Sequence, residues 1–336
     1  MFFNEWFGPT QGTSIGTELQ ERYEEIKDLI GPAISQAYRE SDGRQWQTFQ
    51  NGTIIYHPDT GAWEVLNGVI HTRWAQLGGS LGTLGKPKTG ANKEPDGRQW
   101  QTFENGVVIY HADTGSWEVL NGMVHNRWAQ LGGSLGTLGK PKTGTNKESD
   151  GRQWQTFENG VVIYHSSTGA WEVMNGVINT KWGSLGGSLG ILGKPASTAQ
   201  EKDGWQWQDF EKGGMVINDK GLAISMQSPE LYKGWKAALE NSVHVGLPID
   251  MQRYETDMRQ WQTFENGTIV FHPTTGAWAV THGAIYNYWA QNGGSLGKIG
   301  RPISNQVRSE GDITQKFQNG TVVYDVASSK IQFIVN

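Results

Sequence analysis

The chain has no cysteine among its 336 residues, which excludes disulfide cross-links and thiolate chemistry and leaves its redox compartment open. It lacks any stretch approaching the roughly 20 apolar residues of a membrane-spanning helix, so insertion into a bilayer is not expected. Its 28 basic residues are dispersed among 33 acidic ones, for a net charge of -5. With no run of Lys and Arg to track phosphates, nucleic acid is not an expected partner. The opening "MFFNEWFGPTQG" has an acidic residue and Gly-Pro where a secretory signal has a basic start and an apolar run, so no export signal is visible. Also missing are the Gly-x-Ser-x-Gly elbow, the His-Glu-x-x-His helix, the Walker loop and a Gly-x-Gly-x-x-Gly after a strand. An enzyme is therefore not the expected reading.

What the chain has in abundance is glycine and tryptophan, 46 and 16 residues, the composition of a turn-rich protein. It also repeats itself. "GRQWQTFENGVVIYH" runs from Gly97 to His111 and again from Gly151 to His165, and the Phe of "WQTF" recurs at Phe49, Phe103, Phe157, Phe210, Phe264 and Phe317, 53 or 54 residues apart. Within one copy, "RQWQTFE" and "VVIYH" predict strands joined at Asn105-Gly106, a two-residue hairpin signal. A third strand, "SWEVL", follows the turn residues Asp113-Thr114-Gly115. Then Val124, Trp128 and Leu131 recur at helical spacing, with Gly132-Gly133 as the stop. A three-stranded meander of this size cannot bury both faces alone, so copies must pack on their neighbours. The expected fold is mainly β with short helices, a closed, propeller-like ring of six helix-plus-meander repeats. An N-terminal segment, 1–16, precedes a single repeat body, 17–336, with units near 17–66, 67–120, 121–174, 175–226, 227–281 and 282–336.

The segment "LGGSLGTLGKPKTG" from Leu77 to Gly90, repeated from Leu131 to Gly144, and the downstream "TGAWEV" resemble the LGFP repeat, over essentially the whole chain after the first sixteen residues. The resemblance implies a ring of repeats, a location in the cell envelope or outside the cell, and a role in binding cell-wall polysaccharide. The signature differs here: Lys stands in the Phe position of Leu84 to Pro87, Leu138 to Pro141 and Leu192 to Pro195, and His57, His111, His165 and His272 stand where the family usually has an aromatic.

Comparison of the six copies with one another separates positions the fold needs from the rest. The marker Phe and the Gln two residues before it, Gln47, Gln101, Gln155, Gln208, Gln262 and Gln315, persist in every copy, as a core ring and an amide satisfying neighbouring backbone would. Three other positions are lost together from the fourth and sixth copies. They are Arg44, Arg98, Arg152 and Arg259; His57, His111, His165 and His272; and Trp63, Trp117, Trp171 and Trp278. Joint service to a bound ligand accounts for that, and so does general divergence of those two copies. On the first account each indole offers a sugar ring an apolar face edged by hydrogen-bond donors. Several equal weak sites suit multivalent binding of a polysaccharide or glycan. A scaffold that binds a protein partner is the alternative. The helix tryptophans, Trp74, Trp128, Trp182, Trp235 and Trp289, lie on an apolar stripe and are expected in the core. Glu64, Glu118 and Glu172 recur too often to be one catalytic acid. No cofactor is implied, and the His residues lack further ligands at short metal-binding spacing.

Overall fold

The computed structural model describes residues 16–336; residues 1–15, which hold the stretch read above for an export signal, lie outside the described residues. The chain forms two compact units, Met1–Met174 and Asn175–Asn336, the division falling between the third and fourth copies. No helix among the described residues is long and apolar enough to cross a membrane.

Each copy is an antiparallel meander whose strands pair in chain order. In the first unit the first sheet is β1 (Tyr38–Arg39), β2 (Gln45–Phe49), β3 (Gly52–His57) and β4 (Gly61–Leu66). The second is β5 (Asn92–Lys93), β6 (Gln99–Phe103), β7 (Gly106–His111) and β8 (Gly115–Leu120), and the third β9 (Asn146–Lys147), β10 (Gln153–Phe157), β11 (Gly160–His165) and β12 (Gly169–Met174). Helices α1 (Thr17–Ile30), α2 (Val69–Gln76) and α3 (Met123–Gln130) precede the three sheets in turn. The second unit repeats the plan. Its fourth sheet is β13 (Gln200–Lys202), β14 (Trp205–Phe210), β15 (Gly213–Ile217) and β16 (Ala223–Met226). Its fifth is β17 (Arg253–Tyr254), β18 (Gln260–Phe264), β19 (Gly267–His272) and β20 (Gly276–Thr281), and its sixth β21 (Val307–Arg308), β22 (Asp312–Phe317), β23 (Gly320–Asp325) and β24 (Lys330–Val335). Helices α4 (Val177–Ser184), α5 (Pro229–Glu240) and α6 (Ala284–Gln291) precede them.

The sheets therefore have four strands where the sequence predicts three. The additional outer strand spans only two or three residues, too few to carry a period-2 pattern. It pairs with the second strand, as Asn92 with Trp100 and Lys93 with Gln99, and the linker before it makes a separate bridge, Pro87 with Phe103. The hairpin reading also shifts by one residue. Phe103 pairs with Gly106, so Glu104 and Asn105 form the loop and the glycine stands in the strand. A Cβ there would come within 2.5 Å of the Val119 carbonyl oxygen; the glycine answers a close approach of β8, not a turn.

Neither sheet face could be buried without a neighbour, and the cores are accordingly built between copies. Ile55 and Val65 of the first sheet, Ile70 and Trp74 of α2, and Phe103 and Val108 of the second sheet form one cluster. Ile109 and Val119, Val124 and Trp128 of α3, and Phe157 and Val162 form the next. In the second unit, α5 fills the space between the fourth and fifth sheets, and α6 that between the fifth and sixth. Helices α2, α3, α5 and α6 are thus wedges between two sheets. The helix tryptophans are buried as their spacing predicts, and Trp74 and Trp128 stack on Phe103 and Phe157. Their indole N–H groups donate to the carbonyls of Gly85 and Gly139, both at 2.9 Å. An indole removes roughly 150–250 Å² from water, and the hydrogen bond removes the cost of burying its donor.

The persistent glutamine ties copies together. Gln101 Nε2 donates to the Thr89 carbonyl within its own linker and to the Glu64 carbonyl of the preceding sheet, at 2.8 and 2.6 Å. Gln155 does the same with Thr143 and Glu118.

Candidate functional site

Strand register sets the candidate residues on one sheet face. Trp46 pairs with Ile55 and Ile55 with Trp63. Alternation then puts Arg44, Trp46, Ile55, His57 and Trp63 on that face, with Arg44 and His57 at the end carrying the β3–β4 turn. The second, third and fifth sheets repeat the register for Arg98, His111 and Trp117; Arg152, His165 and Trp171; and Arg259, His272 and Trp278.

Arginine and histidine meet around one aspartate. Arg44 Nε donates to Asp42 at 2.7 Å and its Nη1 to the Ser80 hydroxyl at 2.5 Å; Arg98 binds Asp96 and Ser134 in the same way. His57 Nε2 lies 3.1 Å from the Asp42 carbonyl, and its Nδ1 accepts from the Asp59 backbone N–H at 3.1 Å. The same two contacts hold His111 to Asp96 and Asp113, His165 to Asp150 and Ser167, and His272 to Asp257 and Thr274. The histidine thus clips the β3–β4 turn to the β1–β2 turn, and the arginine fastens that corner to the glycine-rich turn after the next helix. These links shape the local charge. The Arg98 side chain, and after it the Arg98 backbone N–H, hold the Asp96 carboxyl below the usual aspartate range, and Arg152 does so for Asp150.

The fourth and sixth copies show what replaces the histidine. Asn218 Oδ1 accepts from the backbone N–H groups of Lys220 and Leu222. Asp325 Oδ1 accepts from those of Ala327 and Ser328. In all six copies this position caps the turn two residues ahead, by imidazole in four and by an Asx side chain in two.

The four tryptophans lie half-buried on the last strand of their sheets and reach the same turn. The indole N–H of Trp63 donates to the Thr60 carbonyl at 2.7 Å, that of Trp117 to Thr114 and that of Trp171 to Thr168, both at 2.6 Å, and that of Trp278 to Thr275. Each ring is therefore fixed and its only donor is used. In the first three copies a helix arginine lies over the ring: Arg22, Arg73 and Arg127 are 4.9, 4.8 and 5.0 Å from the Trp63, Trp117 and Trp171 ring centres. The same guanidinium groups bind buried carboxylates, Arg22 to Glu64, Arg73 to Glu118 and Arg127 to Glu172, each at 2.7 Å. These clamps join a helix to the sheet that follows it.

The clamp arginines are the residues sequence reasoning missed. The signal was available: Arg73-Trp74 and Arg127-Trp128 recur on the helices of copies whose strands carry Trp117-Glu118 and Trp171-Glu172. The fifth copy has Gly234 before its helix Trp and Ala279 after its strand Trp, so both partners are absent together.

With this geometry in hand, comparison with known proteins gives a definite family. The LGFP repeat matches residues 30–82, 84–136, 138–190 and 246–297, more than half of the chain. The protein belongs to the LGFP-repeat family. The matched stretches carry the first, second, third and fifth sheets, the four that hold the Arg, His and Trp set. No curated protein matches the chain. Among solved structures, the extracellular domain of a putative one-component system from B. thetaiotaomicron aligns at 14% identity and a TM-score of 0.17, covering 93% of this chain and 38% of that one. This chain thus spans well under half of that relative's length. A catalytically inactive virginiamycin B lyase from Staphylococcus aureus aligns at 13% identity and a TM-score of 0.13, over 89% of this chain and 83% of the lyase chain. The TCP10 domain of Danio rerio CPAP aligns at 8% identity and 0.22, over 89% and 98%.

Proposed function

We propose that the protein is a non-catalytic, multivalent carbohydrate-binding module whose platforms are the indoles of Trp63, Trp117, Trp171 and Trp278. One observation carries this reading: four half-buried rings occupy equivalent places on four edge strands, each locked by its own N–H to a turn carbonyl. In this reading a sugar's C–H groups stack on the ring face opposite the clamp arginine in the first three copies, and a ring so fixed loses little side-chain freedom on binding. Arg44, His57 and their counterparts position the corner in this reading, since the histidine nitrogens and the arginine Nε groups already have partners within the chain. The closed, propeller-like arrangement of six copies belongs to the same proposal, as does a cell-wall polysaccharide as ligand.

That same use of the arginine and histidine donors favours a second reading, a rigid scaffold for a protein partner. A glycan array that includes bacterial cell-wall polysaccharides separates the two. Lectin-like binding is expected, weakened by Trp117→Ala and lost when all four indoles are replaced, because linked weak sites act through avidity. An array on which the intact protein binds nothing refutes the carbohydrate reading.

A further inference from the structure

The outer strand of a sheet exposes unpaired backbone groups, and proteins protect such edges with charge. Five of the six sheets do so at one register. The outer-strand residue opposite Gln45, or its counterpart at the same place, is Arg39, Lys93, Lys147, Glu201 and Arg308 in the first, second, third, fourth and sixth sheets. In the fifth it is Tyr254, opposite Gln260. Around it the fifth copy departs again. Met251 stands where the second and third copies have Gly90 and Gly144, while Ile249, where they have Lys88 and Lys142, is shared with Ile34 and Ile303 of the first and sixth copies. The turn joining outer strand to second strand has a left-handed glycine in five sheets, Gly43, Gly97, Gly151, Gly204 and Gly311, and Met258 at φ 67 in the fifth. A methionine is held there in a conformation that disfavours any side chain with a Cβ. The four residues are between 61% and 85% exposed, and the basic charge of this edge stands one residue earlier, at Arg253, so neither the strained backbone nor the exposed Tyr254 serves a core of this chain.

We propose that the β17 edge of the fifth sheet is a self-association surface, at which two copies of this chain pair antiparallel about Tyr254. The flanking charges select the occupant. Arg253, its guanidinium 4.8 Å from the Trp261 ring centre, and Glu255, whose Oε1 accepts from the Trp261 indole N–H at 3.1 Å, bracket Tyr254, and a twofold axis through Tyr254 sets each Arg253 opposite the Glu255 of the other copy, as an isologous interface requires. Ile249, Met251 and Met258 supply the apolar surface that such pairing covers, the methionines adapting to the contact. This inference is independent of carbohydrate binding.

Sedimentation velocity across a concentration series tests it. The unaltered chain is expected to pass from monomer to dimer as its concentration rises. The variant Ile249→Lys/Tyr254→Lys restores the residue types of the second and third sheets, where the fold already accepts them, and is expected to stay monomeric. Arg253→Glu alone is expected to raise the dissociation constant on the order of tenfold or more, and Arg253→Glu with Glu255→Arg to restore it. A chain that remains monomeric throughout overturns the proposal. So does a dimer indifferent to the lysine pair, or one that the charge swap fails to rescue.

Discussion

Ala91 and Thr145 occupy the same place in the second and third copies, "GANKEPDGRQWQ" and "GTNKESDGRQWQ", and the difference has a calculable consequence. Thr145 Oγ1 donates to Gln155 Oε1 at 3.0 Å and accepts from the Leu120 backbone N–H at 3.2 Å. In the second copy no group among the described residues donates to the buried Oε1 of Gln101. Ala91→Thr should supply that donor. One such bond contributes about 0.5–1.5 kcal/mol net, and the substituted residue keeps the backbone its counterpart already adopts, so a gain of about 1 kcal/mol is expected. The converse change, Thr145→Ala, strands Gln155 Oε1 and should cost about 1–2 kcal/mol. Thermal midpoints are a poor gauge at this chain length, where 1 kcal/mol moves Tm by only about 2 °C. Urea unfolding is better: with m of about 3 kcal/mol/M the midpoint should rise by about 0.3 M for Ala91→Thr. Both positions lie in the unit Met1–Met174, so both report on one transition. An Ala91→Thr midpoint that is unchanged or lower, beside a Thr145→Ala midpoint equal to that of the parent, refutes the account of the glutamine tie.

Other consequences are as direct. His111→Ala should cost about 1 kcal/mol more than His111→Asn in urea unfolding, because Asn218 caps the same turn with its amide oxygen; equal losses would show that the cap is dispensable. Glu118→Ala leaves Arg73 unpaired, and since side-chain exposure is 20% for Arg73 and 5% for Glu118, the loss should be about 2–3 kcal/mol, below that of a fully buried pair. The double variant Arg73→Met/Glu118→Ala should cost less than Glu118→Ala alone, as measured by the same denaturation series. Asp96 and Asp150 titrate lower in the folded chain than an ordinary aspartate because of their arginine contacts. Their contribution to stability is therefore complete above the unfolded value of about 3.9 and fades as pH falls through the lower folded values. Stability measured between pH 6 and pH 2 should fall at the acid end, and less steeply in Asp96→Asn/Asp150→Asn.

Much of this protein could be read from the letters. Repetition revealed six copies, alternation placed Arg44, Trp46 and Thr48 on one face, and spacing put Trp74 and Trp128 on the buried side of short helices. Those are local facts, set by the two periods of the backbone. The outer strands escaped notice because two residues carry no period, and Gly106 was misplaced because its constraint comes from β8, a strand not adjacent in sequence.

What the sequence determined is the repeat and the side-chain faces of its strands and helices; what only the tertiary structure decided is which partners those faces meet. The joint loss of Arg, His and Trp from two copies points equally to a ligand or to drift. Folding sets Arg44 and His57 around Asp42, ties the Trp63 indole to the turn that His57 caps, and brings Arg22 to that ring from 41 residues away. Local periodicity cannot encode such meetings, because they depend on how one copy's helix wedges between two sheets.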